Sequence, residues 1–285
     1  MRLEIDQNAG FCFGVTNAIK LAEDYLKEHS NLYCLGDIVH NEAEVERLKK
    51  LGLRIISYEQ FRKLEKETVL IRAHGEPLET YKIAWDNQIY LLEGTCPIVV
   101  RLQKMICKNA SGDDDQIVLF GKKNHPEAIG LASQVDGQLQ VVEDFNDLQI
   151  DYSKPVQVYS QTTMDGELYG QFCDKIRAKS IKQGSEADLF FQNSVCGQVA
   201  SRSRRLRDFA KKHDIIIFVS GKNSSNGNYL YNISRKQNDR TYFVRNPEEI
   251  EAIWLDDVDS VGISGATSTP EWLMKDVAEE ILKYT

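Results

Sequence analysis

The chain has 285 residues, 42% of them apolar and 27% charged, with a formal net charge of −8, enough for one large core or two to three small ones. This is an ordinary globular composition that argues against disorder, and its acidic balance argues against non-specific nucleic-acid binding. The opening MRLEIDQNAG lacks the apolar core of a signal peptide and no apolar run reaches the length of a membrane span, so a cytoplasmic protein with reduced cysteines is expected.

In chain order, NLYCLG, QIYLLEG, QIVLFG, LFFQNS and IIIFVSG are short, nearly continuous apolar runs and predict parallel strands buried on both faces. Helical patterns alternate with them; over 14–28, Val15, Ala18, Ile19, Ala22 and Leu26 share one face. That order predicts an α/β fold with parallel sheets. Cys12 in NAGFCFGV, Cys96 in LEGTCPIV and Cys196 in QNSVCGQV each follow a strand and open a helix. The next strands end at Gly36, Gly121 and Gly221, which lie 24, 25 and 25 residues beyond those cysteines. Each glycine starts a polar turn, GDIVHNEAEV, GKKNHPEAIG or GKNSSNGNYL, and a last strand then runs into IRAHGEP, YSQTTMD or ISGATSTP. A period of about 90 residues predicts three pseudo-symmetric α/β units with small, mostly parallel sheets of about four strands. Their expected bounds are 13–95, 96–193 and 194–270 with 1–12, followed by a C-terminal helix over 271–285.

Ligands of open α/β sheets bind beyond the carboxyl ends of the strands, where helix N-termini present free N–H groups. All of these landmarks occupy such positions, so units arranged head to centre bring Cys12, Cys96 and Cys196 to one point, ringed by His40, His74, His125, Thr162, Ser224, Asn226 and Ser268. Three thiolates can hold zinc or an iron–sulfur cluster. Structural zinc normally takes four protein ligands and short C-x-x-C pairs, which the chain lacks. A [4Fe–4S] cluster on three thiolates leaves one iron open to substrate, with Phe11 and Phe13 expected to keep water off it. Cys34, Cys107 and Cys173 read as apolar packing, and His29 and His213 as solvated residues at helix ends. Helix capping is the alternative for the turns HN, NHPE and GKNSSN. Glu127, in a first helical turn, suits either the helix dipole or proton donation.

GFCFGV, HNEAEVERL, RAHGEP, TCPIV, GKKNHPE, SQTT, GKNSSN and GATSTPEWL together span the chain and resemble the 4-hydroxy-3-methylbut-2-enyl diphosphate reductases of the non-mevalonate isoprenoid pathway. The resemblance implies one [4Fe–4S] cluster on Cys12, Cys96 and Cys196, at the centre of the three units. It implies diphosphate ligands at His40, His74, Ser224, Ser225, Asn226 and Ser268, with His125 beside the substrate, Thr162 near the substrate alcohol and Glu127 in its proton relay. The implied reaction removes the allylic hydroxyl with two electrons and two protons, giving isopentenyl and dimethylallyl diphosphates, the substrate alkoxide sitting on the open iron. The implied electron donor is a reduced ferredoxin or flavodoxin, with neither nucleic acid nor membrane as partner. Against the family pattern, Val199 and Ser203 replace the usual threonine and glutamine, Glu76 replaces an aliphatic residue, and Thr267 precedes the serine. A hydro-lyase using the same cluster would offer arginines for carboxylates at these turns, and an iron or redox sensor would need no polar ring.

Overall fold

The computed structural model describes residues 1–110, 116–135, 137 and 139–284. Twelve strands are present among them: β1 (Arg2–Ile5), β2 (Leu32–Leu35), β3 (Leu53–Ile56), β4 (Thr68–Ile71), β5 (Tyr90–Glu93), β6 (Gln116–Phe120), β7 (Leu139–Val142), β8 (Val156–Ser160), β9 (Leu189–Phe191), β10 (Ile215–Val219), β11 (Thr241–Val244) and β12 (Ser260–Gly265). They form three four-stranded sheets of order β3-β2-β4-β5, β7-β6-β8-β9 and β11-β10-β12-β1. The pairings described are parallel throughout. The three orders are one topology repeated, with β1 as the fourth strand of the last sheet. The expected α/β class and its small parallel sheets are therefore present.

Contact density groups the described chain into two compact units, Met1–Phe61 with Gln198–Thr285, and Arg62–Gly197. In the second unit the alternation of strand side chains decides which helix each face buries. Ile117, Leu119 and Tyr159 pack with Leu102 and Ile106 of the helix Pro97–Asn109 and Leu131 of the helix Pro126–Ala132. Val118, Phe120, Val156 and Val158 face the opposite way, onto Phe172 and Ile176 of the helix Gly166–Lys182. Both faces are covered, which is why the run QIVLF carries no polar alternation. In the first unit Ile215, Ile217 and Val219 pack on the C-terminal helix Glu271–Leu282 through Leu273, Val277 and Ile281. Phe218, from the other face, meets Leu206 and Leu230. Each of these buried side chains contributes about 1.5–3 kcal/mol, so truncating Ile217 or Leu119 to alanine would cost about 2–5 kcal/mol.

Two readings of the sequence are corrected here. His213 is buried rather than solvated: Nδ1 contacts the Phe209 carbonyl at 3.0 Å and Nε2 contacts a Glu4 carboxylate oxygen at 3.2 Å. The partner on β1 lies far away in sequence, so the local polar run AKKHD concealed it. Cys107 is exposed, whereas Cys34 and Cys173 are buried as core residues. No described helix is long and apolar enough to cross a membrane.

Candidate active site

In each sheet the strand order reverses between two central strands, β2 and β4, β6 and β8, or β10 and β12. This is the switch point beyond whose carboxyl ends ligands bind. The turns carrying His40, His125 and Ser224 follow β2, β6 and β10; those carrying His74, Thr162 and Ser268 follow β4, β8 and β12. The three cysteines follow the outer strands β1, β5 and β9. Each one is tied by the same backbone bond: the N–H of Cys12 donates to the Thr267 carbonyl (3.2 Å), that of Cys96 to Ala73 (3.0 Å), and that of Cys196 to Thr162 (2.8 Å). All three are half-buried and stand directly before or at the start of a helix. Gly10 lets the chain enter the first of these turns with φ +96°, a left-handed conformation that glycine adopts without strain.

Within Arg62–Gly197 the candidate site gathers around Glu127. Pro126 at the first helical position starts its helix, and His125 caps it, Nδ1 accepting from the Glu127 N–H at 3.2 Å. An accepting Nδ1 puts the proton of a neutral imidazole on Nε2. The His125 ring lies edge-on to His74, 5.1 Å between centroids. The capping and ligand readings of NHPE are thus compatible, because one ring edge does each. Glu127 is almost fully buried, and its carboxylate oxygens accept from the Thr162 N–H at 2.7 Å and the Thr162 hydroxyl at 2.9 Å. Burial nevertheless pushes its pKa up from 4.5 to about 7, since two hydrogen bonds only partly replace lost water. Through the Thr162 carbonyl this carboxyl is connected to the backbone of Cys196.

Within Met1–Phe61 and Gln198–Thr285 the arrangement is neutral. Ser224 caps the helix Ser225–Gln237 by accepting from the Gly227 N–H at 3.0 Å, and its hydroxyl lies 2.9 Å from that of Ser268. Asn226 Oδ1 accepts both the N–H and the hydroxyl of Thr267, at 3.0 and 2.9 Å. The amide is thereby oriented, and its buried Nδ2 has no hydrogen-bond partner among the described residues. A buried donor in that state costs about 1–3 kcal/mol unless an acceptor is supplied. Thr267 is committed to Asn226, while Ser268 stands with Ser224. Half-buried His40 lies in the turn that abuts Gly221, where a Cβ would come within 2.9 Å of the Asn41 Cα; only glycine admits that approach.

Phe13 departs from expectation: it is 60% exposed, so it does not shield the turn around Cys12. Asn41 caps the helix Glu42–Leu51, the capping alternative for the turn HN. Other roles were not read from the sequence. Glu44, buried, accepts from Arg47 and from the Trp272 indole N–H at 2.7 Å. This explains the motifs HNEAEVERL and TPEWL as two halves of one structural tie. Arg202 donates to the Gly10 carbonyl at 2.5 Å, and Glu76 pairs with Arg72 at 2.6 Å. Val199 is buried, and the Ser203 hydroxyl lies 3.5 Å from the Val199 carbonyl one turn back.

Residues 3–282 match the LytB protein family. The chain is a member of the LytB family. A protein of Phocaeicola vulgatus named 4-hydroxy-3-methylbut-2-enyl diphosphate reductase is 45% identical, over 99% of both chains. A protein of the same name from Chloroherpeton thalassium is 41% identical, over 99% of this chain and 96% of its own. Among solved structures, (E)-4-hydroxy-3-methyl-but-2-enyl diphosphate reductase, titled the terminal enzyme of the non-mevalonate pathway, superposes with a TM-score of 0.74. It is 33% identical and the match covers 99% of this chain and 100% of that one. The Plasmodium falciparum E-1-hydroxy-2-methyl-but-2-enyl-4-diphosphate reductase superposes with a TM-score of 0.84 at 25% identity, covering 98% and 87%.

Proposed function

We propose that this LytB-family oxidoreductase removes the allylic hydroxyl of (E)-4-hydroxy-3-methylbut-2-enyl diphosphate as water, taking up two electrons and two protons. The products are isopentenyl and dimethylallyl diphosphates. The observation that carries the reading is the Glu127–Thr162 pair, a buried carboxyl with a pKa near neutrality hydrogen-bonded to a hydroxyl whose own carbonyl holds Cys196. Cys12, Cys96 and Cys196 are the thiolates that would hold one [4Fe–4S] cluster at the centre of the units 13–95, 96–193 and 194–270 with 1–12. Their fit rests on three half-buried cysteines in equivalent turns at helix starts. When bound, such a cluster supplies the electrons and a Lewis-acidic iron.

The protein's own groups divide the remaining work. Ser224, Ser225, Asn226 and Ser268 present neutral donors to the diphosphate at the start of a 13-residue helix, whose N–H groups and dipole favour an anion. The unpartnered Asn226 Nδ2 is the donor most in need of a phosphate oxygen. His40 and His74 add imidazole donors on the diphosphate, and His125 lies beside the substrate. Thr162 orients the substrate hydroxyl, and Glu127 holds the proton that leaves with it; a carboxyl of pKa about 7 is matched to donation at neutral pH. A small reduced carrier of ferredoxin or flavodoxin type completes the reaction.

Purification under nitrogen tests this. The chain should carry about four irons and four sulfides and convert the substrate with reduced methyl viologen. Cys96→Ser should abolish both cluster and turnover, and Cys34→Ser neither. Turnover without bound iron, or cluster loss on replacing Cys34 in a folded protein, would contradict the assignment.

A further inference from the structure

A groove of about 310 Å³ lies in the unit Met1–Phe61 with Gln198–Thr285, bounded by Asn8, Phe11 and Phe13 on one side and Gln198, Arg202 and Arg205 on the other. Three features set it apart. First, the two phenylalanines that line it flank Cys12. Second, its wall carries two arginines and no carboxylate, in a chain with 43 acidic and 35 basic residues. Third, Phe13 offers a 60% exposed ring at its edge.

Both walls are rigid. Phe13 begins the helix Phe13–Glu28, and its N–H donates to Gln198 Oε1 at 3.3 Å. Gln198, Arg202 and Arg205 lie on one face of the helix Gly197–Ala210, at i, i+4 and i+7. Arg202 is fixed on the Gly10 carbonyl, and Arg205 on Asn8 Oδ1 at 2.8 Å. Exposed Lys20 stands two turns beyond Phe13 on the same helix face, about 10 Å away. The result is an aromatic contact rimmed by cations beside Cys12.

Resting on the function proposed above, we propose that this groove docks an acidic one-electron carrier protein of ferredoxin type. Such a carrier must approach Cys12 closely without remaining bound, and electron-transfer encounters use small interfaces steered by opposite charge. An exposed phenylalanine ringed by Lys20, Arg202 and Arg205 fits an acidic protein surface; a small anion would leave the ring without a role. Two successive dockings balance one turnover. Two reduced ferredoxins, the substrate alcohol and two protons give two oxidised ferredoxins, the hydrocarbon-terminated diphosphate and water, with one C–O bond broken and one C–H bond formed.

The test uses the cluster-loaded chain and a plant-type [2Fe–2S] ferredoxin. Lys20→Glu/Arg205→Glu should bind oxidised ferredoxin about ten- to hundredfold more weakly, and its KM for reduced ferredoxin should rise in parallel. Its turnover with reduced methyl viologen should stay within about twofold of wild type, since a small dye needs no docking surface. Wild-type affinity should fall steeply with salt. Equal ferredoxin affinity in the charge-reversed and wild-type proteins, or salt-independent wild-type binding, would overturn the proposal. If charge reversal impairs folding, Lys20→Gln/Arg205→Gln and the wild-type salt titration decide it. Absence of viologen-driven turnover in wild type would overturn the proposed reaction instead, and the binding comparison would still judge the groove.

Discussion

The turns GDIVHNEAEV and GKKNHPEAIG are counterparts after β2 and β6, and each buries one glutamate in the helix it starts. Glu44 and Glu127 are both 1% exposed, yet their surroundings differ in kind. Glu44 meets the Arg47 guanidinium at 2.6 Å and the Trp272 indole N–H. That hydrogen bond raises the Arg47 pKa still further, with Glu23 adding to it. Glu127 meets the Thr162 N–H and hydroxyl, and burial pushes its carboxyl up to about 7. A cation makes a buried carboxylate structural, whereas neutral donors leave it able to exchange a proton. One topology thus supplies a tie in one copy and a candidate acid in the next.

The largest expected effect separates these roles by rate. Glu127→Gln keeps the shape and should lower turnover by about 10²–10⁴, the worth of general acid catalysis, while Glu44→Gln should leave kcat within about threefold. Equal loss in both variants would dissolve the distinction. The next separates them by pH. Glu127 binds its proton more tightly in the folded chain than in the unfolded one, so stability falls as pH rises from 4.5 to about 7 and is level above that. The fall is about 3 kcal/mol, and the difference in urea stability between wild type and Glu127→Gln should show it. Glu44→Ala should cost about 2–3 kcal/mol by denaturation at pH 7, the lower end for a buried pair because Arg47 keeps Glu23 at 2.6 Å. Smallest are the neutral donors. Ser268→Ala should weaken diphosphate binding by about 1–3 kcal/mol, while Thr267→Ala should act through stability, since its hydroxyl serves Asn226. A silent Ser268→Ala with weakened binding in Thr267→Ala would exchange the two assignments.

Much of this could be read from residue order. Strands buried on both faces announce themselves as apolar runs such as IIIFV, and the recurrence of cysteine, glycine and polar turn exposes the threefold topology before any coordinate is known. Capping by Ser224 was legible for the same reason, because the donor and its N–H groups are neighbours in sequence. What stayed hidden depends on distant partners. Glu44 and Trp272 are 228 positions apart and His213 and Glu4 are 209 apart, so no local pattern marks either pair. Phe13 misleads in the opposite sense: its apolar character predicts burial, while its place at the outer edge of the first helical turn leaves the ring exposed. The environment that tunes Glu127 is likewise invisible in NHPE, because Thr162 arrives from another strand end.

The protonation state of Glu127 is the centre of the account, and isotope-edited infrared titration of wild type against Glu127→Gln reads it directly. A protonated-carboxyl band absent from the glutamine variant should disappear with a midpoint at about pH 7. A Glu127 band lost near pH 4.5, the ordinary carboxyl value, would mean that the residue is ionised at neutral pH and is not the proton donor.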